Sequence, residues 1–267
     1  MRIFVSSLRK LARRPASGVT GALLIGLLVL IILAVGANPN QPSAAQGGEP
    51  AGKALLTFPG AYDRILSFMF GFGGLLAVVY GAAIAGSEWT WGTLKVAVSR
   101  GESRWRYVLG SYAAIAVVIA FGLAITFAVG VGAAYTAARV TGISTAGIND
   151  AATLSQLPWQ ALRGWLGILE VGALGFTIAT LARSQLAGIG IGLAFFFGET
   201  FAGAFVPDIV KYLPFAVARA ATGAGSGKLG PVQTTLPEDQ ALALVAVWLV
   251  GALLVASLYA DRAEITG

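Results

Sequence analysis

Apolar positions run along this chain almost unbroken for long stretches, and polar positions gather in a few short intervals between them. Six runs reach the roughly 20 residues that carry a helix across a bilayer: 16–37, 65–85, 107–135, 162–182, 186–206 and 240–260. They predict an all-α polytopic membrane protein with six transmembrane helices in a single transmembrane domain, 1–267. Ahead of the first run, Arg2, Arg9, Lys10, Arg13 and Arg14 are interleaved with Ile3, Phe4, Val5, Leu8 and Leu11. This is the pattern of an amphipathic helix lying at the membrane interface. A basic segment before an apolar run also opens a secretory signal, but there the apolar part is roughly 7–15 residues. The run 16–37 is longer and reads as an uncleaved first span.

The connections differ in character. Residues 38–63 (Asn38-Pro39-Asn40-Gln41-Pro42, Gly47-Gly48-Glu49-Pro50) and 207–239 predict extended extracytoplasmic loops. Within the second, Lys211 to Arg219 predicts a short interfacial helix. A polar connection with Asp150 and Pro158 leads into the fourth span, and Arg183-Ser184-Gln185 is a tight turn. Residues 86–106 form a compact charged loop rich in Trp, Ser and Arg, with Glu88 directly after the second span.

Composition agrees with the spans. The chain is 57% hydrophobic and 11% charged, against roughly 25% charged in soluble domains. It has neither Cys nor His, which removes thiolate nucleophiles, histidine bases and Cys/His metal sites. No metal ligand set and no catalytic residue is predicted, and an intramembrane enzyme lacks a nucleophile–base pair. The net charge of +6 is spread over span ends rather than gathered in one patch, pointing to lipid head groups and topology, not nucleic acid. With the amino end inside, the inner side holds Arg2, Arg9, Lys10, Arg13, Arg14, Lys95, Arg100, Arg104, Arg106, Arg183 and Arg262. The outer side holds Lys53, Arg64, Arg139, Arg163, Lys211, Arg219 and Lys228 in longer loops, where charge counts for less. Both termini are therefore expected in the cytoplasm.

Four features carry candidate chemistry. Thr222-Gly223-Ala224-Gly225-Ser226-Gly227-Lys228-Leu229 imitates a phosphate loop, but lacks the first Gly and the Ser/Thr after Lys that hold phosphate and magnesium; it reads as a glycine-rich loop, and no ATP site is assigned to this chain. Gly188 and Gly192 allow close helix packing, within the chain or between two copies. Glu170 and Glu199 lie inside predicted spans, where a carboxylate is costly. Glu170 is expected to face a bundle or wet cavity, protonated or bonded to groups such as Thr126 or Thr177, and to mark a translocation pathway or a buried structural bond. Glu199, nearer water, reads as structural. In the loop 86–106, Trp89, Trp91, Leu94 and Val98 fit the apolar side of an interfacial helix, with its polar side toward a cytoplasmic partner.

Glu88, Trp91-Gly92-Thr93-Leu94, Ser99-Arg100-Gly101, Ser103-Arg104 and Leu109-Gly110 follow the order of the first cytoplasmic loop in membrane subunits of bacterial ABC transporters of the type-2 permease family, which the sequence resembles. Ser111 stands where that family often has Lys. Tyr212-Leu213-Pro214-Phe215 and the basic amino-terminal helix also resemble its layout. The resemblance implies a permease subunit in the bacterial plasma membrane, most simply of an exporter, paired with a second permease subunit. It implies that a separate cytoplasmic subunit binds ATP and Mg and docks on the loop through Glu88, Trp91, Gly92, Thr93, Arg100 and Arg104. The competing expectation is an ion-coupled carrier or channel working without an ATPase.

Overall fold

The computed structural model describes residues 2–39, 51–222 and 236–263. The amino-terminal helix α1 (Arg2–Arg13) precedes α2 (Pro15–Ala37), which Pro15 opens from its first position. Next come α3 (Ala51–Leu56), α4 (Gly60–Thr90), α5 (Thr93–Ser99) and α6 (Arg104–Val140). A 3-10 turn (Ala146–Asn149) leads into α7 (Ala151–Ala182) and α8 (Gln185–Ala202). The short α9 (Pro207–Val210) and α10 (Pro214–Ala221) precede α11 (Glu238–Arg262). Among the described residues there are no strands, and α2, α4, α6, α7, α8 and α11 are long and apolar enough to cross a membrane.

The helices extend past the apolar runs that announce them. α6, with 37 residues, is about 55 Å long at 1.5 Å per residue, well beyond the roughly 30 Å hydrocarbon core. The polar connection expected around Asp150 and Pro158 is instead the first turns of α7. Asp150 caps them by accepting the Thr153 N–H (2.9 Å) and hydroxyl (2.6 Å), and the helix continues through Pro158 at the cost of one backbone bond. The loop expected at 38–63 contains α3 and the start of α4; its residues 40–50, and the glycine-rich 223–229, lie outside the described residues.

α4 and α7 form the centre. Two-thirds of the apolar window of each is buried in the protein, against under a third for the other four spans. Their backbones touch because glycine lines the seam. A methyl group at Gly81 would strike the Gly172 carbonyl, and one at Gly175 the backbone of Val78. Lipid offers apolar side chains no hydrophobic drive to associate, so close backbone packing has to hold spans together. The outer helices show the complementary pattern: Leu23, Leu30 and Leu33 on α2, Phe121 and Ile125 on α6, and Val247, Leu254 and Leu258 on α11 all face outward. Such an apolar perimeter is a liability in water and a match for lipid.

α1 is the amphipathic helix the sequence predicts, and its apolar side meets the protein. Leu11 is buried and Phe4 and Leu8 are partly buried in a cluster with Tyr80, Val108, Tyr112 and Ile115, so the apolar face of α1 packs on the bundle. Val5, Arg9 and Arg13 form its exposed side. α10 also turns inward. Phe215, Val217, Ala218 and Ala221 are buried against neighbouring helices rather than laid on the surface.

Candidate functional site

The charged segment 86–106 is not a loop. Glu88 and Trp89 belong to the last turn of α4, and the chain reverses at Gly92, whose φ of 64° is the left-handed conformation that favours glycine. α5 then runs from Thr93 to Ser99, and Gly101 (φ 84°) turns the chain into α6. The outcome is a short helix held between two spans at one end of the bundle.

Glu88 joins four elements there. Lys10 of α1 donates to its Oε1 at 2.5 Å, and Arg14, at the start of α2, reaches the same oxygen at 3.2 Å. Thr93, the first residue of α5, and Tyr107 of α6 donate their hydroxyls to Oε2. Arg14 also donates to Ser87 Oγ (2.7 Å) and lies 4.8 Å over the Trp91 ring. Lys10 is partly buried, and desolvation lowers its ammonium below the ordinary value of 10.5 despite the upward pull of Glu88. Arg14, whose side chain is more deeply buried than that of Lys10, is the firmer half of the ion cluster. Beside Glu88 a small crevice is lined by Trp89, Leu94, Tyr107, Ser111 and Thr180 among others.

The remaining loop residues separate into buried and exposed groups. Leu94 is buried under α5, while Trp91, Lys95, Val96, Ser99 and Arg100 are exposed. The single apolar face expected for Trp89, Trp91, Leu94 and Val98 is therefore broken by the turn at Gly92. Arg104 points the other way: its Nη1 donates to the carbonyls of Ala260 (3.2 Å), Asp261 (3.0 Å) and Ala263 (2.6 Å), closing the C-terminal end of α11. Arg183, at the end of α7, completes this end by bonding Tyr259 (3.1 Å) and covering the Trp89 ring at 5.1 Å.

The carboxylates inside the spans have different surroundings. Glu199, at the end of α8, accepts the backbone N–H groups of Phe215 (3.2 Å) and Ala216, the first turn of α10, and Arg219 lies 3.9 Å away. Its carboxyl oxygens fix the N-terminus of α10. Glu170 has no exposed surface, and its carboxyl oxygens have no hydrogen-bond partner among the described residues. The expected donors bond elsewhere, Thr126 to the Gly122 carbonyl and Thr177 to that of Ala252. Gly188 packs on Ala179 and Gly192 on Val78, so both serve contacts within the chain.

Sequence reading singled out Glu88 but missed Lys10, Arg14 and Tyr107 as its partners. Lys10 and Arg14 are four residues apart, which signals a shared side of one helical path, but nothing local says which acid they meet. The fold and its apolar perimeter define a multi-pass α-helical membrane protein. Residues 50–266 match the family described as a protein of unknown function (DUF2705), and the chain belongs to that family. No curated protein matches the sequence.

Proposed function

We propose that this chain is the transmembrane permease subunit of an ATP-driven ABC transporter, an exporter, docked through α5 to a separate cytoplasmic ATP-binding subunit. The carrying observation is the form of 86–106: a short helix between two spans, tied by Glu88 to α1, α2 and α6, with Trp91, Val96 and Arg100 facing out. A partner pressing on α5 would move the spans with it, because Thr93 and Tyr107 share one carboxylate with Lys10 and Arg14. The excess of Lys and Arg at that end supports a cytoplasmic placement of it and of both termini, in a bacterial plasma membrane. A second permease subunit, identical or related, would complete the pathway. ATP and Mg belong to the partner, and this chain performs transport rather than catalysis.

Arg104 closes α11, so a substitution there disturbs the bundle as well as any docking. Arg100 is exposed and lies outside the cluster around Glu88, so Arg100→Glu is the cleaner test. The full chain is purified from its native membrane in mild detergent, and ATPase activity is assayed on the eluate. Co-purified ATPase that Arg100→Glu removes, with the variant still folded, supports docking through α5. Chain free of ATPase, from an extract in which other such complexes survive, refutes it. The second reading, an ion-coupled carrier acting alone, draws on buried Glu170 and requires transport without ATP.

A further inference from the structure

Glu170 sits in the apolar part of α7 with its side chain wholly enclosed. An ionised carboxylate is disfavoured there even with the relief that water defects give, and more so if it has no partner. No cation among the described residues pairs with it. Tyr112 of α6 passes close by, but its hydroxyl donates to the Leu169 carbonyl. Glu199 of α8 acts on Glu170 as a like charge, and Arg219 of α10 is taken by Glu199. On α4, Tyr80 bonds Ser17, and on α11, Tyr259 bonds Arg183. A metal ion would need several oxygen ligands, and the described residues hold no group of three or more acidic side chains suited to one. With no open surface beside the carboxyl, nothing larger than a proton fits.

We propose that Glu170 is a proton-binding site within the membrane span, occupied by one proton when α7 is packed as it is here. Release of that proton places a bare carboxylate in the core of the bundle near Glu199, so occupancy and the packing of α7 against α8 and α10 are linked: a conformation that wets Glu170 releases the proton, and resealing takes one up. The site does not depend on an ATPase partner, so it stands or falls separately from the permease reading.

The test is infrared spectroscopy of the full chain in lipid nanodiscs at pH 7, comparing wild type with Glu170→Gln, which keeps the side-chain shape. The expected result is loss of one protonated-carboxyl C=O band in the variant. If Glu170→Gln does not fold, protein carrying ¹³C-labelled glutamate and Glu199→Gln is measured instead, and a labelled protonated-glutamate band must remain. A spectrum in which Glu170→Gln removes only ionised carboxylate signal, or in which Glu199→Gln leaves no protonated glutamate, overturns the proposal.

Discussion

Replacing Glu88 with alanine removes the acceptor on which α1, α2, α5 and α6 converge. The Glu88 and Arg14 side chains are 8% and 9% exposed, whereas Lys10 is 31% exposed. The Arg14 pair therefore belongs with buried pairs, where deleting one partner costs about 3–5 kcal/mol. The Lys10 pair is held to about 1 kcal/mol or less by solvent, in keeping with the lowered ammonium. Arg14 keeps the Ser87 hydroxyl and the Trp91 ring, which places the expected loss near the lower bound, about 3 kcal/mol. That corresponds to roughly a 150-fold rise in the opening equilibrium of α1 and α5. Hydrogen exchange of the full chain in nanodiscs, read by mass spectrometry, measures it directly: peptides from 2–14 and 93–99 should exchange faster, while those from α7 hold. Glu88→Gln, which keeps an acceptor for one hydroxyl but loses the charge, should fall between. Exchange of 2–14 within about threefold of wild type, roughly 0.6 kcal/mol, would refute the argument that this carboxylate ties the helices together.

Two further outcomes follow from the packing and the cap. Gly81→Val should lower detergent thermostability sharply, because the added methyls meet the Gly172 backbone, which cannot rotate away; overpacking typically costs about 1–3 kcal/mol, and an unchanged melting temperature would mean that α4 and α7 are not in contact there. Asp150 is held below its ordinary value of 3.8 by the Thr153 hydroxyl and N–H. Its contribution to the first turn of α7 is thus fully present above that value and lost as pH falls through the lowered folded one. Exchange at residues 153–155 should rise across that acid window, and Asp150→Asn should abolish the pH response.

Much of the molecule is written locally. A run of apolar residues such as 16–37 must become a helix in lipid, because every N–H and C=O needs a partner and only the helix supplies them within one segment. For that reason the six spans were legible along the chain, and the alternation of basic and apolar residues made the amphipathic pattern of α1 legible beside them. The sequence also marked Glu170 as an acid in a costly place and Glu88 as a candidate for docking. Their roles depended on neighbours from 19 to 78 positions away. Glu88 resembled a residue for docking, and the fold surrounded it with Lys10, Arg14 and Tyr107. Arg104 resembled one too, and the fold brought it to the carbonyls of Ala260, Asp261 and Ala263.

Glu170 and Glu199 make the same division. Each is one carboxylate in an apolar helix, Glu170 well inside its span and Glu199 nearer water. Only the inward turn of α10 gives Glu199 two backbone donors, and only the close seam of α4 and α7 makes the bundle around Glu170 tight. Backbone demand, which acts within a segment, was decided by sequence alone. Side-chain partnership, which acts across space, was decided by the tertiary structure.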